Sequence, residues 1–362
     1  MRWAEGAPAF ALVVVGLATV PGCGVGSGYR AWWDQDKGAQ TTYGGATAMD
    51  ASVRADAGAN GGGRDGATGE GDASGDAVET GPPAPPIGSV VLILMSSQPW
   101  SVIAGSSSAP YVNGTLLVRG AHSEAYHAGD PASAAGEPNV LWLEGGQDFG
   151  LTTNSPPTTN HTKSTAHLVD ELEATGVTWK AYVEGISAGS CPIVDAYPYR
   201  SFHVPFLFFE DVVGYPASPA AKRCVEHVVP YGDLAKDLAA HALPRYAFVV
   251  PDLCDDMHDD CKTGGPVAQG DAWLSSAVPP LLASPEYAGG AAVFVVWEFA
   301  STGDVPIGLI ALSAKARAGY AAKTTIDASA TVRTLQEIYG VSPPLGGAAS
   351  SPDLAELFES FP

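Results

Sequence analysis

Basic residues are scarce in this chain of 362 residues. Eighteen lysines and arginines stand against 39 aspartates and glutamates, for a formal net charge of -21 at pH 7. Such a polyanion repels nucleic acid and acidic membrane surfaces, which discounts both as electrostatic partners. Long apolar runs are missing too. The N-terminal stretch from Ala9 to Val20, interrupted only by Gly16 and Thr19, is too short for a comfortable transmembrane helix, which takes about 20 residues. Internal repeats are absent, and no second compositional boundary follows the first. Charged residues make up only 16% of the chain and hydrophobic ones 46%, ample for a large core.

What is present at the N-terminus reads as an export signal, with Arg2 ahead of the short apolar region. The region ends in Val20-Pro21-Gly22-Cys23, which resembles the lipobox of bacterial lipoproteins and would make Cys23 the lipidated first residue of the mature protein. The other reading is an ordinary cleaved signal peptide with Cys23 incidental. Both take the protein out of the cytoplasm, either lipid-anchored at the bacterial cell envelope or secreted, with membrane contact only through the anchor. Residues 24–87 have almost no large apolar side chains after Trp33, and carry Gly61-Gly62-Gly63 and Pro82-Pro83-Ala84-Pro85-Pro86. That composition cannot bury enough surface to fold and predicts a disordered tether. Outside the cytoplasm the remaining cysteines, Cys191, Cys224, Cys254 and Cys261, are expected to form disulfides. Three pairings are open to them; nearness favours Cys254 with Cys261, which leaves Cys191 for Cys224.

Residues 88–362 read as one α/β domain. Val90 to Met95 is a continuous apolar run, as expected of a strand covered on both faces. Further strands are expected at 140–143, 178–183, 246–250, 291–297 and 307–312. Helical patterns fall between them at 165–175, 234–242, 272–282 and 329–339, with Asp271 placed to cap the third. Alternation of strand and helix predicts a largely parallel central sheet flanked by helices.

The densest chemistry lies in Pro251 to Cys261, which holds Asp252, Asp255, Asp256, Asp259, Asp260 and His258 together with two cysteines. It follows the apolar run Tyr246 to Val250, so it belongs at the carboxyl end of a strand, where open α/β sheets bind ligands. Carboxylates with a histidine suit a hard or borderline divalent cation. A solvated acidic loop pinned by a short disulfide would have the same spacing, and both readings stand.

An ordered set of segments carries a resemblance. It comprises Gly105 to Tyr111, Glu137-Pro138-Asn139, Leu141 to Glu144, Trp179 to Tyr182, Cys224 to Tyr231, Pro251 to Cys261, Gly270 to Leu274 and Thr331 to Val341. Together they resemble the phosphoesterase family of bacterial and fungal acid phosphatases and phosphatidylcholine-type phospholipases C. The resemblance implies a fold similar to the alkaline phosphatase superfamily. It also implies hydrolysis of phosphate esters, or of phospholipid head groups, by a Ser or Thr nucleophile activated by a divalent metal.

Several positions depart from that pattern. Ser96-Ser97 stand where the family places a Glu-Asn pair. Gln147 falls where the nucleophilic hydroxyl is expected after Leu-Glu-Ala-Gly, Phe299 follows Glu298 in place of an acid, and Val204 follows His203 in place of Asn. Family histidines are replaced at Ala134 and Ala328. Carried over residue by residue, the resemblance leaves His258 and His203 as catalytic candidates and Asp256, Asp259 and Glu298 as metal ligands. Ser96 and Ser97 are substitute nucleophiles, and Glu184 and Asp148 are further carboxylates of the region. Two functions follow. One is a phosphoric ester hydrolase with a degraded site; the other is a catalytically inactive relative that binds a ligand or partner at the cell surface.

Overall fold

The computed structural model describes residues 86–130 and 136–361, so the signal segment, Cys23, most of the tether and Ala134 lie outside the described residues. Nine strands build the sheet: β1 (Val90–Met95), β2 (Ala121–His127), β3 (Trp179–Val183), β4 (Val228–Pro230), β5 (Tyr246–Val250), β6 (Ala292–Trp297), β7 (Ile307–Leu312), β8 (Ala321–Ala322) and β9 (Ile326–Asp327). They lie in the order β4-β3-β5-β1-β6-β7-β2-β8, with β9 also on β2. The pairings β6–β7 and β7–β2 are antiparallel and the others parallel. The largely parallel α/β reading therefore holds, with β7 as the strand that reverses direction.

Burial explains why β1 occupies the middle. All six of its residues are buried, and both backbone edges are paired, Ile93 with Val249 of β5 and Met95 with Trp297 of β6. A strand flanked and covered on every side has no use for alternation, hence the unbroken aliphatic run. Helices Leu168–Ala174, Gly232–Ala239, Gly265–Leu282 and Ala328–Tyr339 fall where helical periodicity places them, within a few residues except at one end. Gly265–Leu282 begins seven residues earlier than expected. Asp271 therefore lies inside this helix and caps a different turn, its carboxylate accepting from the backbone N–H groups of Tyr111 (3.0 Å) and Val112 (2.8 Å).

One element changes type. Residues 140–143 form no strand but belong to the helix Gly136–Gly145. Pro138 and Glu137 sit in its first turn, where a missing N–H and an acidic charge are both tolerated. The helix buries every residue except Trp142, so it shows no polar face to betray its period.

Cys191 pairs with Cys224 and Cys254 with Cys261. Two closed disulfides suit a protein outside the reducing cytoplasm. Among the described residues, no helix is long and apolar enough to cross a membrane.

Candidate active site

Four parallel neighbours, β3, β5, β1 and β6, end at one edge of the sheet. The residues that follow them are Glu184, the loop from Pro251, Ser96-Ser97 and Glu298 respectively. Backbone hydrogen bonds tie these loops together. Ser96 N donates to Asp256 O (2.8 Å), Glu298 N to Met95 O (3.1 Å), and Ser301 N to Ser97 O (3.3 Å). Ser97 and Met257 both hold positive φ, 66° and 76°, a conformation that non-glycine residues adopt only where the surroundings enforce it. Met257 is fully buried beneath Gly270, and a Cβ at Gly270 would stand 2.3 Å from the Met257 Cγ, so only glycine fits there.

The side chains form one chain of contacts. Ser96 Oγ donates to Glu298 Oε1 (2.7 Å). His203 lies between two acids, its Nε2 3.5 Å from Glu298 Oε1 and its Nδ1 3.1 Å from Asp256 Oδ2. Asp256 Oδ1 accepts from the backbone N–H of His258 (2.7 Å), and the His258 Nδ1 meets Asp259 Oδ1 at 2.7 Å. Ser96, His203, Asp256 and Glu298 are buried, whereas the His258 side chain is 31% exposed. The site therefore has a sealed floor and an open rim.

Burial decides the charges on the floor. It holds the carboxyls of Asp256 and Glu298 well above the usual range and pulls His203 down to about 3. At the rim the balance differs. Burial is the largest single influence on His258 and lowers its pKa, but the bond to Asp259 and the charge of Asp256 outweigh it, and the pKa ends raised. The same bond, its leading cause, lowers Asp259. The floor carboxyls are thus biased toward their protonated form and His203 toward its neutral one, while His258 above is biased toward the imidazolium, which presents positive charge to an anion.

The structure thus brings His203, His258, Ser96, Asp256 and Glu298 together. It does not bring Asp256, Asp259 and Glu298 into one coordination sphere. Donor atoms sharing a divalent cation at ~2.1–2.5 Å lie within about 5 Å of each other. Among the described residues, the groups of three whose donor atoms fall within 4.8 Å are Glu184–Asp252–Asp255 and His167–Asp170–Asp211, and neither includes any of the three expected ligands. Asp256 Oδ2, Glu298 Oε2 and His203 Nε2 are buried without hydrogen-bond partners. Asp256 and Glu298 flank the imidazole on its two sides, and neither contact closes as a hydrogen bond. The residues expected to hold the metal do not fit it here. The Glu184–Asp252–Asp255 group, at the same edge, is acidic enough that it could bind one.

Other expected positions separate. Ser97 is buried and its carbonyl is taken up by the loop after β6. Glu184 accepts from Trp273 Nε1 (2.8 Å) and Asp252 N (3.1 Å). Asp148 caps its own turn through Gly150 N (2.8 Å). Gln147 is exposed beyond the carboxyl end of helix Gly136–Gly145, and the helix rise of ~1.5 Å per residue puts it about 15 Å from Gly136. The other end of that helix faces the site. A Cβ on Gly136 would stand 3.3 Å from Glu298 Oε1 and 3.3 Å from the Phe299 ring. Sequence reasoning therefore missed Gly136. It stands just before the Glu137-Pro138-Asn139 segment, and nothing in the sequence marked its distance from Glu298.

A mixed sheet with acids and histidines clustered at the carboxyl edge of its parallel strands defines an α/β fold with a candidate ligand site at that edge. The same fold appears in a Vibrio parahaemolyticus protein of the alkaline phosphatase superfamily, at a TM-score of 0.51 and 10% identity, over 72% of this chain and 68% of that one. The model of the Phosphoesterase family matches residues 115–298, and the chain belongs to that family. Among curated proteins it is 29% identical to the phosphatidylinositol-3-phosphatase of Mycobacterium tuberculosis over 278 residues, 76% of this chain and 84% of that protein. It is also 28% identical to a probable acid phosphatase of Kluyveromyces lactis, over 34% of this chain and 29% of that protein.

Proposed function

We propose that the chain is an exported phosphate ester hydrolase of the acid phosphatase and phospholipase C type, with slow chemistry. It would take a phosphate ester or a phospholipid head group at the carboxyl edge of the sheet. One observation carries the reading: the family match, over residues 115–298, takes in Glu298, His203 and Asp256, which lie in contact with His258 open beside them, and Ser96 joins them through Glu298. In this reading His258, at the rim and biased toward its protonated form by Asp259, faces the phosphoryl oxygens and protonates the leaving oxygen. Ser96 Oγ would attack phosphorus as Glu298 takes its proton and passes its own to the neutral imidazole of His203, the ester oxygen leaving with the proton from His258; water would then hydrolyse the phosphoserine. Ser96 is fully buried, so an in-line approach requires the floor to open. That burial, with Phe299 in the wall and no converged metal set among the expected ligands, keeps the rate low.

Purified protein assayed on para-nitrophenyl phosphate and its phosphorylcholine ester, across pH and with a panel of divalent metals, is expected to turn over little above background. His258→Ala should abolish what there is. Losing a nucleophile outright costs on the order of 10⁶ in kcat in a well-studied protease, so robust metal-dependent turnover would mean that the site is intact and the slow reading wrong. Binding of the ester with no turnover would instead support a cell-surface binding protein, a reading favoured by the sealed position of Ser96.

A further inference from the structure

The rim holds a second positive group. Arg200 immediately precedes the turn Ser201–His203, so one short segment sets both the guanidinium and the buried imidazole. The segment is fastened to the acidic loop, with Leu253 N donating to Pro198 O (3.2 Å) and the Tyr197 hydroxyl 3.3 Å from Cys261 Sγ. The charge of Arg200 is felt at His258 and Asp259 on the rim and at His203 on the floor beneath them.

Most of its hydrogen-bonding capacity is unspent. A guanidinium carries five N–H donors. Here it makes one long contact, Nη1 to Asp195 Oδ2 at 3.5 Å, and lies 5.9 Å from the centre of the Tyr197 ring. Asp195 is itself engaged on its other oxygen by Ser201 N (2.8 Å) and Ser201 Oγ (2.7 Å). The side chain is 29% exposed, open enough to be reached yet held in direction by the ring and the carboxylate.

A phosphate ester approaching a chain of net charge -21 needs a local cation, and no converged metal set supplies one among the expected ligands. We infer that Arg200 anchors the phosphoryl group at this site, its guanidinium forking two phosphate oxygens while His258 faces a third. This rests on the phosphate ester reading above. Arginine suits the task because its planar fork matches two oxygens at once, whereas a lysine offers a single point charge.

Binding of inorganic phosphate and of para-nitrophenyl phosphate, measured by titration calorimetry, tests the assignment without requiring turnover. Arg200→Ala is expected to weaken both ligands roughly 10–100-fold, the loss of a charged hydrogen-bonding pair. Arg200→Lys should fall between that variant and the parent, and Lys222→Ala, on an exposed helix, should leave binding unchanged. Asp195→Asn, which removes the competing charge but keeps an acceptor for Ser201, should tighten binding. That variant and Arg200→Lys keep the test decisive if Arg200→Ala folds poorly. Parent-like affinity in Arg200→Ala, or no gain in Asp195→Asn where the alanine variant is unfolded, would overturn the assignment while leaving the phosphate ester reading in place. Failure of the parent protein to bind either ligand at millimolar concentration would overturn both.

Discussion

Replacing His167 with alanine is expected to destabilise the domain by about 3–5 kcal/mol, the cost of breaking a buried ion pair from one side. His167 is fully buried between two acids, its Nδ1 3.0 Å from Glu144 Oε1 and its Nε2 3.2 Å from Asp211 Oδ2. Its ring stacks on Phe209 at a centroid distance of 3.9 Å. Burial pulls its pKa down, but the bonds to Asp211 and Glu144 together push it up to about 9, so the imidazolium persists. Glu144 also accepts from Val169 N (2.8 Å), at the start of helix Leu168–Ala174. Alanine would strand the buried carboxyl of Glu144, leave a cavity under Phe209, and loosen the entry to that helix.

Arg223 completes the network by pairing with Asp211 and lying 3.3 Å from Asp170 and 3.0 Å from Glu173. His167, Asp170 and Asp211 have the spacing of cation ligands, yet a guanidinium already supplies the positive charge. The cluster is therefore a fastening between helices and lies apart from the site. Urea unfolding of His167→Ala, Glu144→Leu and the pair His167→Phe with Glu144→Leu checks this. Each single variant should lose several kcal/mol and the apolar pair should regain most of it, because two partners removed together leave no unpaired charge. A loss below about 1 kcal/mol in His167→Ala would show that the ion pair contributes no more than an exposed one.

The central strands were legible because β1, β5 and β6 are buried on both faces and must be unbroken apolar runs. The same logic misassigned 140–143. Val140 to Leu143 is equally apolar, and a helix buried nearly all round shows no period to distinguish it from a strand. β2 escaped notice for the opposite reason: its sequence, Ala121-His122-Ser123-Glu124-Ala125-Tyr126-His127, mixes polar and small residues that only pairing with β7 and short strands organises. At the site, the residues at strand ends were readable because strand ends define the edge. Arg200 and Gly136 were not, since the first sits on a loop placed by contacts with Leu253 and Cys261, and the second matters through a missing side chain. Gln147 was misplaced for a related reason. A motif gives order along the chain, and a helix of ten residues turns that order into two ends far apart.

Stability is expected to fall as pH rises from about 4.5 to about 8, with Glu137 as one cause beside Glu184, Asp256 and Glu298, which are raised in the same direction. Its carboxyl is buried in the first turn of helix Gly136–Gly145, where it accepts from Ser155 N (3.0 Å) and Asn160 Nδ2 (2.8 Å). Burial, the leading influence, outweighs both bonds and raises the pKa to about 8. The helix N-terminus favours the charged form by only ~0.3–1 kcal/mol and does not reverse this. The folded pKa lies above the unfolded one, so between them the folded state holds the extra proton. Its stabilising effect is complete at acid pH and is lost at about 1.4 kcal/mol per pH unit on the way up. His167 acts in the same direction higher in the range, between its ordinary 6.5 and about 9. Asp211 and Asp237, both lowered, have already made their contribution below this window. Glu137→Gln, neutral throughout, should match the parent near about pH 5 and exceed it near about pH 8, so the two stability curves diverge as pH rises. Parallel curves would place the proton elsewhere. A domain that is most stable when Glu137 is protonated keeps Gly136, and with it the helix end facing Glu298, best ordered on the acid side.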